Sequence, residues 1–267
     1  MSSISILFNS IYQSYRCFRD AFRTKLRLRK QLRKNSYILK KLFNNDLSVR
    51  YGPFAGMNYI NLITTGSQLL PKILGSYEEP IQYWIEDILA KPYKTIVDVG
   101  CAEGYYAVGF ATKLSDITVY AYDLDRAAIQ QCRELIILNN VSDKVVVGEL
   151  FETKELEKIY RKDSNFLLFC DIEGAEKDLL NVNTSPLLKY IDIIVEAHDF
   201  IYPGITELLV GRFKDSHNID IIEDYTRNST KYPILKENNK FNIEVLDEKR
   251  PSGMKWLRMI SILDNSY

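Results

Sequence analysis

Residues 93–110, YKTIVDVGCAEGYYAVGF, limit the fold more than any other stretch of this chain. The β-branched and apolar residues around Asp98 predict a strand over 95–99. A small-residue turn follows, Gly100-Cys101-Ala102-Glu103-Gly104, and then a run that reads as a helix over 104–114. A strand, a glycine turn and a helix in that order build a floor for a nucleotide. The turn lets a ligand approach the backbone, and the helix N-terminus offers it free N–H groups.

The pattern continues downstream as an alternation. Strands are expected at 117–122, 144–148, 166–170 and 191–196, and helices at 125–139, 152–161, 174–181 and 204–216. Such βαβ alternation predicts a mostly parallel sheet with helices on both faces. Two further strands, 219–225 and 255–263, are separated by a polar stretch without a clear helix. They bring the sheet to seven strands and would close it with an antiparallel C-terminal edge. Upstream, Ile81, Trp84, Ile85 and Ile88 keep a helical period behind Pro80, which suits a first turn. Residues 51–76, rich in Gly, Pro, Ser and Thr, read as loops and short strands.

Charge divides the chain. Residues 1–50 carry 12 Lys/Arg against 2 Asp/Glu, and the remaining residues 23 against 33. The expected organisation is a basic helical segment over 1–50 and an acidic α/β domain over 51–267. Phe8, Ile11, Tyr15, Phe18 and Phe22 form one helical stripe, and basic residues crowd from Arg16 to Lys34. Such a helix can pack its stripe on the body or lie on an anionic membrane surface. Nucleic acid is a poorer partner, because the acidic remainder repels phosphate. The four cysteines are scattered and there are two histidines, which argues against a structural zinc site or a disulfide framework. No apolar run reaches about 18 residues, and the N-terminus lacks the features of a secretory signal. A cytoplasmic protein is expected, with peripheral attachment at the inner membrane face as an option.

The loop spacing does not suit a dinucleotide. G-x-G-x-x-G would need a final glycine at 105, where Tyr105 stands, and Glu103 would set a carboxylate beside phosphates with no Lys or Arg near it in sequence. A cationic ligand reverses that argument. S-adenosyl-L-methionine carries a sulfonium and an ammonium, and its carboxylate can meet the helix N-terminus at Gly104 and Tyr105. Asp123, with Leu124 after it, closes the second strand 19 residues beyond Gly104 and is placed to accept both ribose hydroxyls. Glu149, after the third strand, could reach the adenine edge.

VDVGCAEGYYAVG resembles the first motif of class I S-adenosylmethionine-dependent methyltransferases, with Ala102 where many members have the middle glycine. FLLFCDIEGAEKDLL resembles the D-x-E-G-x-E signature of FkbM-type methyltransferases, and the likeness covers residues 75–200, weaker upstream in LGSYEEP. It implies a Rossmann-like methyltransferase fold in which Asp98, Gly100, Glu103, Gly104 and Asp123 bind the cofactor, with Cys101, Ala102 and Tyr105 in the same loop. It also implies that Asp171 and Glu173 face the transferring methyl group.

Methyl transfer to a hydroxyl needs in-line alignment and a base. CDIEGAE (Asp171, Glu173, Glu176) and VEAHDF (Glu196, His198, Asp199) lie at the ends of the fourth and fifth strands, beside the first. His198 is the natural general base, since an imidazole titrates near pH ~6.5. Asp171 could hydrogen-bond the acceptor or the cofactor's amine, Glu173 could bind sugar-like hydroxyls or cap the helix beginning near Gly174, and Glu176 reads as structural. Asp171, Glu173, Glu196 and His198 could also gather Mg²⁺, although no ligand spacing demands it, so no metal is expected. His217 reads as structural. Together these features point to O-methylation of a small molecule or glycan. The alternatives are an N-methyltransferase, whose usual Pro-Pro-Tyr/Phe pattern DIEGAE does not match, and a non-catalytic adenosyl-ligand-binding partner subunit.

Overall fold

The computed structural model describes residues 28–60, 64, 67–163 and 165–263. The chain divides into two units, Met1–Asp46 and Leu47–Tyr267. In the first unit the described residues form a helix over 28–43, α1. The stripe from Phe8 to Phe22 and most of the basic run lie outside the described residues. Among the described residues no helix is long and apolar enough to cross a membrane.

The second unit holds a seven-stranded sheet: β1 Thr95–Val99, β2 Thr118–Tyr122, β3 Val145–Gly148, β4 Phe166–Cys170, β5 Asp192–Ala197, β6 His217–Glu223 and β7 Lys255–Ser261. Their order is β3-β2-β1-β4-β5-β7-β6. β1 to β5 run parallel, and β7 is antiparallel to both β5 and β6. The expected α/β sheet with an antiparallel C-terminal edge is therefore the one observed. β1 and β4 are buried along their whole length, as befits central parallel strands covered on both faces. Val97, Leu168, Ile193, Leu209, Phe213 and Leu257 belong to the main core cluster.

Two expectations need correction. Residues Leu69–Leu74 (LLPKIL) are helical, α2, where loops and short strands were expected. The run is buried all round and so has no amphipathic period to read. Pro71 sits in its first turn, where the missing N–H is free anyway, and Gly75, at φ 88°, ends it by donating to Pro71 and Lys72 carbonyls. The β6–β7 connection, expected to lack a helix, contains two short ones, Pro233–Lys236 and Asn242–Leu246.

Helix α3, Gln82–Ala90, precedes β1, and the remaining helices lie between strands: α4 Tyr105–Lys113, α5 Arg126–Leu138, α6 Thr153–Lys162, α7 Glu176–Leu179 and α8 Ile205–Phe213; α9 and α10 are the two short ones before β7. Strand order reverses between β1 and β4, so a crevice opens at their carboxyl ends. The register there is tight: Val99 lies opposite Cys170, and the Asp171 N–H donates to the Val99 carbonyl at 2.9 Å.

Candidate active site

A cavity of about 570 Å³ occupies that crevice. Asp98, Gly100, Cys101, Ala102, Tyr105, Asp123, Leu124, Glu149, Asp171 and Glu173 all line it, so strand ends 20 to 70 residues apart in sequence converge as expected. Gly100 and Gly104 take φ of 85° and 93°, the left-handed region. A Cβ at Gly100 would stand 1.7 Å from the Asp171 carbonyl oxygen, and one at Gly104 would stand 2.7 Å from Cys132 Sγ. These glycines let the turn pass close to its neighbours. Ala102 also adopts a positive φ, 46°, and its N–H donates to Asp123 Oδ2 at 2.8 Å. Asp123 Oδ1 accepts from the Asp125 N–H at 2.8 Å. Asp123 therefore ties the loop down, and each oxygen keeps a second lone pair for a hydroxyl.

Glu103 and Gly104, expected to bind the ligand, are not among the residues that line the cavity. Gly104 is the N-cap of α4 and is packed on Cys132. Glu103 is buried, forming an ion pair with Lys72 and accepting from the Tyr59 hydroxyl at 3.3 Å. The repulsion expected of an isolated Glu103 does not arise, because Lys72, from a segment with no recognised motif, neutralises it.

The floor is acidic and short of partners. Asp98 is buried and its Oδ2 has no hydrogen-bond partner. Burial, then the neighbouring Asp171, push its carboxyl up to about 8, against a bond from the Ala107 N–H. Asp171 Oδ1 is likewise without a hydrogen bond. Burial and Glu78 raise the Asp171 carboxyl to about 6, while His198 and Arg250 pull it down. A floor of this kind favours a cation.

His198 lies behind this wall, 2% exposed and off the cavity surface. Its Nδ1 is 2.7 Å from Glu176 Oε1, and its Nε2 is 3.4 Å from Asp171 Oδ1 and 3.6 Å from Glu173 Oε2. Burial works against the imidazolium, but the bond to Glu176 and the charges of Asp171, Glu176 and Glu173 outweigh it, so the His198 pKa is raised. Glu176, read from sequence as structural, is fully buried and also accepts from the Ile172 and Gly174 N–H groups at 3.3 and 3.2 Å. It both shapes the DIEG turn, where Glu173 and Gly174 have φ of 54° and 97°, and orients the imidazole. Asp199 points elsewhere: it accepts from Thr206 and Gly204 and caps α8.

Behind Asp171 lies a buried ionic cluster that sequence reasoning missed. Arg250 binds Glu78 and Glu196, and its Nε donates to Glu248 at 2.9 Å. Glu78 in turn accepts from the Tyr106 hydroxyl, and Tyr106 lines the cavity. The upstream likeness in LGSYEEP held a signal for Glu78; Arg250 had none. Asp171, Glu196 and His198 place one ligand atom each within 4.8 Å of one another, a donor set that could hold a divalent ion. In this structure Arg250 supplies the positive charge on Glu196.

A profile of the family described as Ribosomal protein L11 methyltransferase (PrmA) matches residues 82–167. The Ribosomal protein L11 methyltransferase of Prochlorococcus marinus is 28% identical over 153 residues, covering 53% of this chain and 46% of that protein. The protein of the same name from Bacillus cytotoxicus is 39% identical over 59 residues, 22% of this chain and 19% of its own length. The chain thus spans less than half the length of these curated relatives. Among solved structures, the human methyltransferase 10 domain containing protein shares the fold at a TM-score of 0.51 and 15% identity, over 88% of this chain and 98% of that one.

Sheet order and glycine loop are those of the class I methyltransferase fold, and the methyltransferase profile matches its central part, residues 82–167. The lining residues suit S-adenosyl-L-methionine: Asp98 Oδ2 is a buried carboxylate oxygen without a hydrogen-bond partner, which favours a cation, and Asp123 keeps lone pairs that can accept from hydroxyls.

Proposed function

We propose that this chain methylates a hydroxyl group, on a small molecule or glycan as in the FkbM-type enzymes that its DIEGAE turn resembles. The observation that carries the proposal is the line Glu176–His198–Asp171, a buried imidazole held between two carboxylates and ending on the cavity wall. When bound, S-adenosyl-L-methionine supplies an electrophilic methyl group on a sulfonium. Asp171 and Glu173 orient the acceptor hydroxyl at the cavity wall, and its proton passes by way of Asp171 to His198 Nε2. Glu176 keeps the other ring nitrogen protonated and steadies the charge that forms. The deprotonated oxygen would supply the electron pair for the new O–CH₃ bond, and the C–S pair would leave with the thioether product. An N-methyltransferase is the second reading, and a protein as its acceptor is supported by the similarity to ribosomal protein L11 methyltransferases. Incubation with methyl-labelled cofactor and either hydroxylated compounds or protein fractions decides between the two.

The cofactor half of the proposal has its own test. Asp98 must ionise to pair with the ligand's ammonium, and its carboxyl titrates at about 8 in the free protein. Below that pH a proton must leave on binding, so affinity rises with pH and levels off above it. Calorimetry with S-adenosylhomocysteine is expected to show affinity rising about tenfold or more from pH 6 to pH 8, and the rise should vanish in Asp98→Asn. No binding at any pH, or binding of NAD instead, would overturn the cofactor assignment.

We also propose a cytoplasmic setting in which the basic segment rests on an anionic membrane surface. Its support is the charge of residues 16–34 alone. The full chain should sediment with anionic vesicles at low salt, and a chain starting at Leu47 should stay in solution. A full chain that ignores such vesicles refutes the membrane contact.

A further inference from the structure

We propose that Lys72 is the counter-ion for the carboxylate at the amino-acid end of the bound cofactor, an assignment that rests on the cofactor proposal above. Lys72 is 2% exposed and lines the cavity. The other charged residues of that lining are Asp98, Asp123, Glu149, Asp171, Glu173 and Asp178, so Lys72 is its one cation among the described residues. An amino-acid end is a zwitterion. A wall of carboxylates can hold its ammonium but repels its carboxylate, and that carboxylate needs a positive partner within the same cavity.

The surroundings of Lys72 leave it free to be that partner. Its ammonium has three donors, and among the described residues its one hydrogen bond goes to Glu103 Oε1. Its remaining surroundings on that side are aromatic: the nitrogen lies 4.6 Å from the Tyr77 ring centroid and 5.3 Å from that of Tyr105. Ring faces attract a cation without using up its N–H donors in strong bonds. Glu103, which is not among the lining residues, fixes the ammonium in place, and two donors stay available to a ligand oxygen. Tyr105 is also the first residue of α4, so the positive end of that helix adds to the attraction. This arrangement explains why a glutamate is tolerated in a loop that receives an anionic group.

The test compares two ligands that share the adenosyl thioether and differ in the amino-acid end: S-adenosylhomocysteine and 5′-methylthioadenosine. In calorimetry, Lys72→Met should weaken S-adenosylhomocysteine by about tenfold or more, the loss of a charge-assisted bond, and leave 5′-methylthioadenosine within about twofold. Lys72→Arg should recover much of the difference. Should Lys72→Met lose its cooperative thermal transition, Lys72→Gln gives the same comparison while keeping a hydrogen bond to Glu103. Equal weakening of both ligands, or no change in either, overturns the assignment and makes Lys72 a structural partner of Glu103 alone. A wild-type chain that binds neither ligand overturns the cofactor proposal itself.

Discussion

His198→Ala should lower turnover on the true acceptor by about 10²–10⁴-fold, the usual loss when a general base is removed. Affinity for S-adenosylhomocysteine should stay within about twofold, since His198 does not line the cavity. The pH profile carries the more specific signature. The His198 pKa is raised above 6.5 by Glu176, Asp171 and Glu173 despite burial, so the unprotonated imidazole is lost as pH falls through that raised value. The wild-type rate should therefore decline on the acid side from a point above pH ~6.5. Glu176→Gln removes the group 2.7 Å from Nδ1 and should shift that limb to lower pH while reducing the maximal rate. Near-normal turnover in His198→Ala would end the base assignment. Inhibition by a chelator that Mg²⁺ reverses would reassign Asp171, Glu196 and His198 to an ion.

Gly100→Ala should remove cofactor binding and destabilise the domain by about 2–5 kcal/mol, combining left-handed backbone strain with overpacking. The added Cβ has no room: it would stand 1.7 Å from the Asp171 carbonyl oxygen and 2.7 Å from its carbon, both backbone atoms that cannot rotate away. Relief requires parting the ends of β1 and β4, which carry Asp98 and Asp171. Gly204 supplies the control. Its φ is 87°, yet nothing lies within 4 Å of its Cβ direction, so Gly204→Ala should show the backbone term alone, about 1 kcal/mol. Thermal unfolding of the two variants beside wild type measures both. Comparable losses in the two would show that the contact with Asp171 contributes nothing.

The sheet was legible because its central strands are buried on both faces, and the expected limits 95–99 and 166–170 match the observed ones residue for residue. Helix α7 is shorter than the expected 174–181, running Glu176–Leu179, because the residues before it form a turn with two positive φ angles instead of a helical start. The carboxylates at strand ends were legible too, since topology alone brings the ends of β1, β2 and β4 together. Pairings across long stretches of chain were not. Lys72 meets Glu103, and Arg250 meets both Glu78 and Glu196. No periodicity or spacing announces such partners, since each ion pair is fixed by the packing of segments that share no local pattern. A lone lysine inside the apolar run LLPKIL was the one available hint, because a buried charge requires a partner.

The position of β7 sets the order in which this domain can be completed during synthesis. It is the last of the seven strands to leave the ribosome, yet it lies between β5 and β6. Until residues 255–261 emerge, β5 presents an open, apolar edge in which five of six residues are destined for burial, and β6 has no strand to pair with. Arg250 arrives only just before β7, so Glu78 waits 172 residues and Glu196 54 residues for this counter-charge. Over that interval the nascent chain holds an uncovered β5 edge beside an unneutralised Glu196, the state in which strand-to-strand aggregation begins.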